Sequence, residues 1–263
     1  MKINKIVVLF VCIFICLSAG IAVAKEEVES KPTADFSVAF LSQYIWRGYA
    51  LSENSLVIQP SGTISYYGFS INLWGNLDTH IDDGTGNETS MFNETDFTVA
   101  YDHSFGPVSL GVGYIYYGLE GVPDSQEVYI IAGYDMLLSP SITVYRKISN
   151  YPSWYVNFSL SHSFELPKGI NLNLGASAGY YGYDDVYEAG SDSHKYHNFH
   201  DGVISASLDI PLGKYFTMSP LIAYSFPLSD DARDFIPTMS IADVANDNDA
   251  DFFYGGVTFS TSF

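Results

Sequence analysis

Ile170-Asn171-Leu172-Asn173-Leu174-Gly175-Ala176-Ser177-Ala178 alternates apolar and small polar residues without a break. In a β-strand successive side chains point to opposite faces, so Ile170, Leu172, Leu174, Ala176 and Ala178 share one side. Asn171, Asn173, Gly175 and Ser177 share the other. A strand apolar on one face and polar on the other suits a sheet standing between lipid and water. The preceding stretch repeats the pattern, with Trp154, Val156, Phe158 and Leu160 against Tyr155, Asn157, Ser159 and Ser161.

Working outward, about twelve such stretches occur, beginning near Asp35, Leu56, Phe69, Asp96, Val108, Glu127, Ser141, Trp154, Ile170, Phe199, Tyr215 and Asp251. The connections alternate in length. Tyr67-Gly68, Phe105-Gly106-Pro107, Leu138-Ser139-Pro140, Leu166 to Gly169 and Pro211 to Lys214 are short. Gly48 to Ser55, Thr79 to Asn93, Gly118 to Gln126, Gly182 to Asn198 and Pro227 to Ala250 are longer, with one short exception near Asn150 to Ser153. This predicts an all-β fold, a transmembrane antiparallel up-and-down β-barrel over residues 35–263, with short periplasmic turns and long acidic outer loops in a bacterial outer membrane. A soluble β-sandwich also collects aromatic residues but seldom keeps strands this uniform.

The ends of the chain agree with export. Lys2 and Lys5, the apolar run Ile6 to Leu17 and Ala22-Val23-Ala24 form a cleavable leader over residues 1–24, followed by a short periplasmic segment 25–34. The run is too short for a spanning helix. Cys12 and Cys16 both fall in that leader, so the mature chain has no disulfide, thiolate metal site or cysteine nucleophile. Without the leader, 9 basic residues face 30 acidic ones, a net charge near −21. That balance excludes nucleic acid as a partner, because phosphate backbones require a basic face. With 47% hydrophobic residues the chain is nevertheless no disordered acidic protein.

Aromatic residues recur near strand ends, as in Tyr44 to Trp46, Tyr66-Tyr67, Tyr114 to Tyr117 and Tyr180 to Tyr183, positions that predict interfacial belts in contact with lipid and lipopolysaccharide. The final stretch puts Phe253, Val257, Phe259 and Phe263 on one face and ends on an aromatic residue. A terminal Phe263 closing an amphipathic strand resembles the signal read by barrel-assembly machinery.

Tyr44-Ile45-Trp46-Arg47-Gly48, followed by Ser52, Gln59, Tyr67-Gly68-Phe69 and Trp74-Gly75-Asn76-Leu77-Asp78, resembles the opening of the TorF-type porin family of bacterial outer-membrane barrels. The resemblance covers residues 35 to 80 well and the remainder by architecture. It implies a porin-like barrel, names no substrate and brings no catalytic motif.

By alternation, the inward residues are Arg47, Gln59, Asn72, Asn76, Asp78, Asp96, Asp102, Tyr129, Asp135, Lys147, Asn157, Asn171, Asn173 and Asp209. A polar interior in a barrel of this size predicts a narrow pore for small polar solutes, and its excess of acids predicts a weak preference for cations. The competing expectation is a closed structural or adhesive barrel, its lumen plugged by paired charges, that acts through its acidic loops. Arg47 beside Trp46 reads as a snorkelling or constriction charge, or as an ion pair with Asp78.

No cofactor is expected. The outer loops are rich in acids, and Asp247, Asp249 and Asp251 have oxygen ligands suited to Ca²⁺, but the Gly and Glu of an EF-hand loop are missing. Solvation is the favoured role of those loops, with divalent bridging to lipopolysaccharide phosphates as a second use. His194, His197 and His200, at intervals of three, alternate sides in a strand and make a poor metal site. The chain reads as no enzyme. His103 and His162 face lipid without a serine on their side, and no nucleophile elbow or zinc motif occurs.

Overall fold

The computed structural model describes residues 31–82, 88–184, 195–240 and 249–263; the leader lies outside them. In chain order the strands are β1 (Thr33–Leu41), β2 (Ile45–Trp46), β3 (Tyr49–Ala50), β4 (Val57–Tyr66), β5 (Phe69–Asp82), β6 (Glu88–Phe105) and β7 (Val108–Leu119). They continue as β8 (Ser125–Tyr134), β9 (Ser141–Lys147), β10 (Ser153–Leu166), β11 (Ile170–Tyr183), β12 (His197–Leu212), β13 (Phe216–Pro227) and β14 (Phe252–Ser262). One α-helix, α1 (Asp230–Met239), lies between β13 and β14.

Twelve strands form a closed antiparallel barrel, while β2 and β3 make a separate ribbon. Sequence neighbours pair around the ring, and β1 closes it against β14, from Asp35 opposite Ser262 to Leu41 opposite Gly256. Backbone bonds between Ala34 and Phe263 in both directions, 3.1 and 2.9 Å, complete the seam. Closure matters because an unpaired strand edge in hydrocarbon leaves its amides and carbonyls without partners.

Alternation sorts the side chains as expected. Ile64, Leu73, Val112, Ile130, Ile204 and Ile222 stand on the outer wall, with Ile204 52% exposed. Soluble proteins do not present so continuous an apolar surface, and this belt is the mark of a lipid-facing barrel. Aromatic pairs flank it, Phe69 with Tyr101 and Tyr215 with Phe263 toward the short-turn end, Tyr180 with Phe199 toward the other. The 67 and 168 positions of the short connections have positive φ, and Gly68, at φ 84°, completes the two-residue turn after Tyr67 that matches strand twist.

Four expectations are corrected. β1 ends at Leu41, so Tyr44 to Trp46 do not close a wall strand in a lipid belt but lie in the inserted segment that follows. Most of the loop expected over residues 79–93 is paired strand, with Asp82 opposite Glu88, because two polar edges still satisfy each other's backbone groups. The long connection after Pro227 contains α1. Finally, β12 carries an extra residue: Ala178 faces Gly202 while Tyr180 faces Phe199. That bulge turns two consecutive residues, His200 and Asp201, inward and leaves Phe199 outside.

An arginine at Ile204, on the lipid-facing mid-wall, should cost about 2–4 kcal/mol. Ser207→Asn, on the lumen face, should stay within about 0.5 kcal/mol. Urea unfolding in lipid vesicles checks both.

Candidate functional site

Between β1 and β4 the chain folds back into the barrel. Its base is tied by Leu51 N to Tyr44 O at 2.8 Å, Tyr44 N to Ser52 Oγ at 2.8 Å and Ser55 Oγ to Asp78 Oδ1 at 2.8 Å. From there β2 and β3 run out as a short ribbon, Ile45 opposite Ala50 and Trp46 opposite Tyr49. Its tip, Arg47-Gly48, has φ of 49° and 81°, the left-handed pair of a two-residue hairpin turn. A side chain at Gly48 would meet Asp201 Cβ at 3.0 Å and Ile236 Cδ1 at 3.1 Å, so glycine serves here for close approach as well as for φ.

The tip reaches the opposite wall. The hairpin springs from β1 and β4, and β8, β9 and β10 stand across the ring from those strands. Arg47 Nη1 and Nη2 donate to Glu127 Oε1 and Oε2 at 2.9 and 2.6 Å, a bidentate pair with both side chains almost wholly buried. The guanidinium also lies over the rings of Trp46, Tyr145 and Tyr155, 4.3 to 4.6 Å from their centroids. Tyr117 Oη donates to Glu127 Oε2 at 3.0 Å. Burial pulls the Arg47 pKa down, but the charge and hydrogen bonds of Glu127 more than offset it, and the guanidinium stays charged. The partner is thus Glu127, and not Asp78, which binds Ser55 and the His80 amide.

A second element fills the remaining outer space. Helix α1 starts at Ser229, whose Oγ accepts from Ala232 N at 3.1 Å, and carries Asp230 and Asp231 in its first turn, where acids complement the helix dipole. Ala232, Phe235 and Ile236 face inward and are buried with Tyr49, Tyr155, Tyr181, Tyr183 and Tyr196. Phe235 stacks on Tyr196 at 4.1 Å, and Tyr49 lies 5.0 Å from the His200 ring. Ser240 Oγ accepts from Ala50 N at 3.1 Å and so joins helix to hairpin. Burial raises the Tyr49 phenol well above its usual range. Tyr181 and Tyr183, expected at an interface, belong to this interior cluster.

Below the hairpin lies a chamber of about 480 Å³. Tyr44 packs against Trp74 at 5.6 Å and Trp46 against Tyr117 at 6.2 Å on its walls, and Asn72, Asp96 and Asn157 also line it. Asp96 Oδ1 is buried without a hydrogen-bond partner. Glu94, two residues away on the same face of β6, is buried beside Tyr44.

Other inward residues pair with their neighbours. Gln59 donates to Asn76 at 3.0 Å, Asn76 to Asn93 at 2.8 Å, and Asn72 to Ser61 and Thr63 at 2.9 and 2.8 Å. Asn173 and Ser219 both donate to Asp209, at 2.8 and 2.7 Å. Lys147 sits opposite Glu127 in register, Tyr129 beside Tyr145, and Asn157 donates to the Tyr155 hydroxyl at 3.3 Å. Asp102 projects toward Gly111 and Asn171 stands opposite Asp209, both near the short turns. Asp135 is misplaced by alternation: β8 stops at Tyr134, and Asp135 is an exposed turn residue whose amide donates to Pro107 O at 2.7 Å.

Glu94, Glu127, His200 and Asp201 were absent from the expected inward set. Glu127 shares the parity of Tyr129, Glu94 that of Asp96 and Asp201 that of Asp209, so all three were within reach of alternation; the bulge hid His200. Asp247 and His194 lie outside the described residues. Asp249 is exposed, and Asp251 lies 3.5 Å from Arg233. Among the described residues no three His, Cys, Asp or Glu side chains gather as metal ligands. His103 packs between Tyr101 and Phe105, and His162 against Phe164.

No protein-family model matches the chain, and no curated protein matches it. Among solved structures, the NanC porin superposes with a TM-score of 0.48 at 11% identity, over 88% of this chain and 98% of its own. A loop-deletion form of the outer membrane protein OmpT of Vibrio cholerae gives 0.40 at 6% identity, over 89% and 99%. The β domain of the Bordetella autotransporter BrkA gives 0.39 at 10%, over 89% and 99%.

Removing one member of a buried, bidentate ion pair leaves the other uncompensated, typically at about 3–5 kcal/mol. Arg47→Ala should therefore raise the hydrogen exchange of the amides of residues 44–50 by a corresponding factor while leaving the wall strands protected. Glu127→Ala should do the same, and the double variant should fall well short of the sum of the two.

Proposed function

We propose that the protein is a porin-type channel of the bacterial outer membrane, held closed by its own Arg47 hairpin and passing small polar solutes, cations ahead of anions, when that hairpin yields. The observation that carries this reading is the hairpin crossing the full width of the lumen to a buried salt bridge on the far wall. The contacts that seat the hairpin, Arg47 on Glu127, Ala50 N on Ser240 Oγ and Tyr49 in the aromatic cluster, are separate from the pairing of the wall strands and can break without dismantling it.

Several features support the membrane and solute assignments. The apolar belt and its aromatic flanks suit a lipid bilayer, and the exposed Phe263 beside Tyr215 suits delivery by barrel-assembly machinery. Serine, asparagine and aspartate line the wall below the hairpin, a surface that water and polar solutes wet. Cation preference rests on Glu94, Asp96, Asp102 and Asp209 standing inward against Lys147, while the charge of Arg47 is cancelled by Glu127. The resemblance to TorF-type porins includes the residues of the hairpin, Tyr44 to Gly48, and continues through Asp78. Passage rather than chemistry fits lipid-facing histidines that are packed on aromatic rings.

The filled outer lumen also favours a second reading, a permanently closed barrel that works through its acidic loops. Planar-bilayer recordings separate the two. The intact barrel should give small, infrequent steps, and replacement of residues 44–50 by a glycine-serine linker should raise conductance several-fold with a cation-selective reversal potential. Silence from both folded proteins would establish the permanently closed barrel, and large ohmic steps from the intact protein, unchanged in the variant, would remove the hairpin from gating.

A further inference from the structure

The chamber under the hairpin has an unusual imbalance of hydrogen-bonding capacity. Asn72 Nδ2 is used by Ser61, Gly62 and Thr63, Asn157 Nδ2 by the Tyr155 hydroxyl, and the Arg47 guanidinium by Glu127. Among the amide and carboxyl groups around the space, what remains free is acceptor: the two asparagine carbonyl oxygens and Asp96 Oδ1, which is buried and has no partner. Charge points the same way. Asp96 and Glu94 share one face of β6, and among the described residues neither has an ion-pair partner. The walls contribute the faces of Tyr44, Trp46 and Trp74, whose π-electrons attract cations and cover carbon skeletons.

Acceptors, the adjoining Asp96 and Glu94 carboxyls, which hydrogen-bond to each other and so share a proton, and aromatic faces together fit a ligand that is donor-rich, positively charged and partly apolar. We propose that this chamber is a binding site for small organic ammonium ions, with the ammonium on Asp96 and the carbon skeleton against Trp74 and Tyr44. The site deepens the channel reading and rests on it, as a station on the solute's path below the closed hairpin. Its volume, about 480 Å³, falls within the range of pockets that enclose single small molecules.

The test uses the full mature barrel refolded in detergent micelles, with glucosamine as probe and tryptophan fluorescence as readout. Two of the three tryptophans, Trp46 and Trp74, line the chamber, whereas Trp154 faces outward. Glucosamine should change the emission saturably at neutral pH, and glucose, which lacks the amine, should not. Asp96→Asn, which keeps shape and removes charge, should weaken glucosamine binding by at least about tenfold. Should that variant fail to show the heat-modifiable migration of a folded barrel, Trp74→Leu takes its place, with the same weakening expected. Equal binding of glucose and glucosamine, no saturable change with either, or undiminished affinity in the folded variants would each overturn the proposal. Because micelles report binding without conduction, a negative result leaves the bilayer recordings to decide the channel, and a silent channel leaves this titration to decide the site.

Discussion

In hydrocarbon a backbone amide without a protein partner has no partner at all, so a sheet crosses a bilayer only when its first strand meets its last. Everything else in this molecule follows from the seam between β1 and β14. It forces an even, antiparallel ring and gathers the chain ends at the short-turn side. It also divides every strand into a face that meets lipid and a face that meets whatever fills the middle. Ile204 and Ser205 are neighbours in the chain, yet they belong to different solvents.

A ring of twelve strands encloses more space than its wall side chains fill, and this chain spends two insertions on that space. One is the ribbon between β1 and β4, the other α1. They meet through Ser240 and Ala50 and through the packing of Ile236 against the glycine at the ribbon's tip. Their contacts with the wall are mostly tyrosine. Tyrosine suits an interior that is neither core nor water, since the ring buries area while the hydroxyl finds a carboxylate or an imidazole, as in Tyr155 with Asp201 and Tyr196 with His200. The arginine at the far wall is the one formal charge on the ribbon, and its cost of burial is offset only because a carboxylate and three rings await it.

Period-two alternation made the wall legible in the sequence, down to the inward set Asn171, Asn173, Gly175 and Ser177, because a strand between lipid and water has no freedom to break the pattern. The interior was far less legible. Arg47 stood out by type, but its partner is eighty residues away and no local rule connects them. The bulge in β12 shifted parity by one and concealed His200, since nothing in Phe199-His200-Asp201-Gly202 announces an unpaired residue. Helix α1 was readable and overlooked. Ser229 before two aspartates is an N-cap signal, and Ala232, Phe235, Ile236 and Met239 recur at helical intervals, but the surrounding acids suggested a solvated loop. Loops that fold inward obey the periodicity of the element they form, and the membrane around them imposes none.

The position of the ribbon in the chain also orders its own assembly. It leaves the wall immediately after β1, before any of the strands that receive it has been synthesised, and its dock is shared among β8, β9 and β10. The arginine therefore has no dock until β8, β9 and β10 are in place, long after the ribbon itself has left the wall. A chain that stops short of β8 holds that arginine without the carboxylate that offsets its burial, so the side chain that ties the ribbon to the far wall also marks whether the strands that receive it are present.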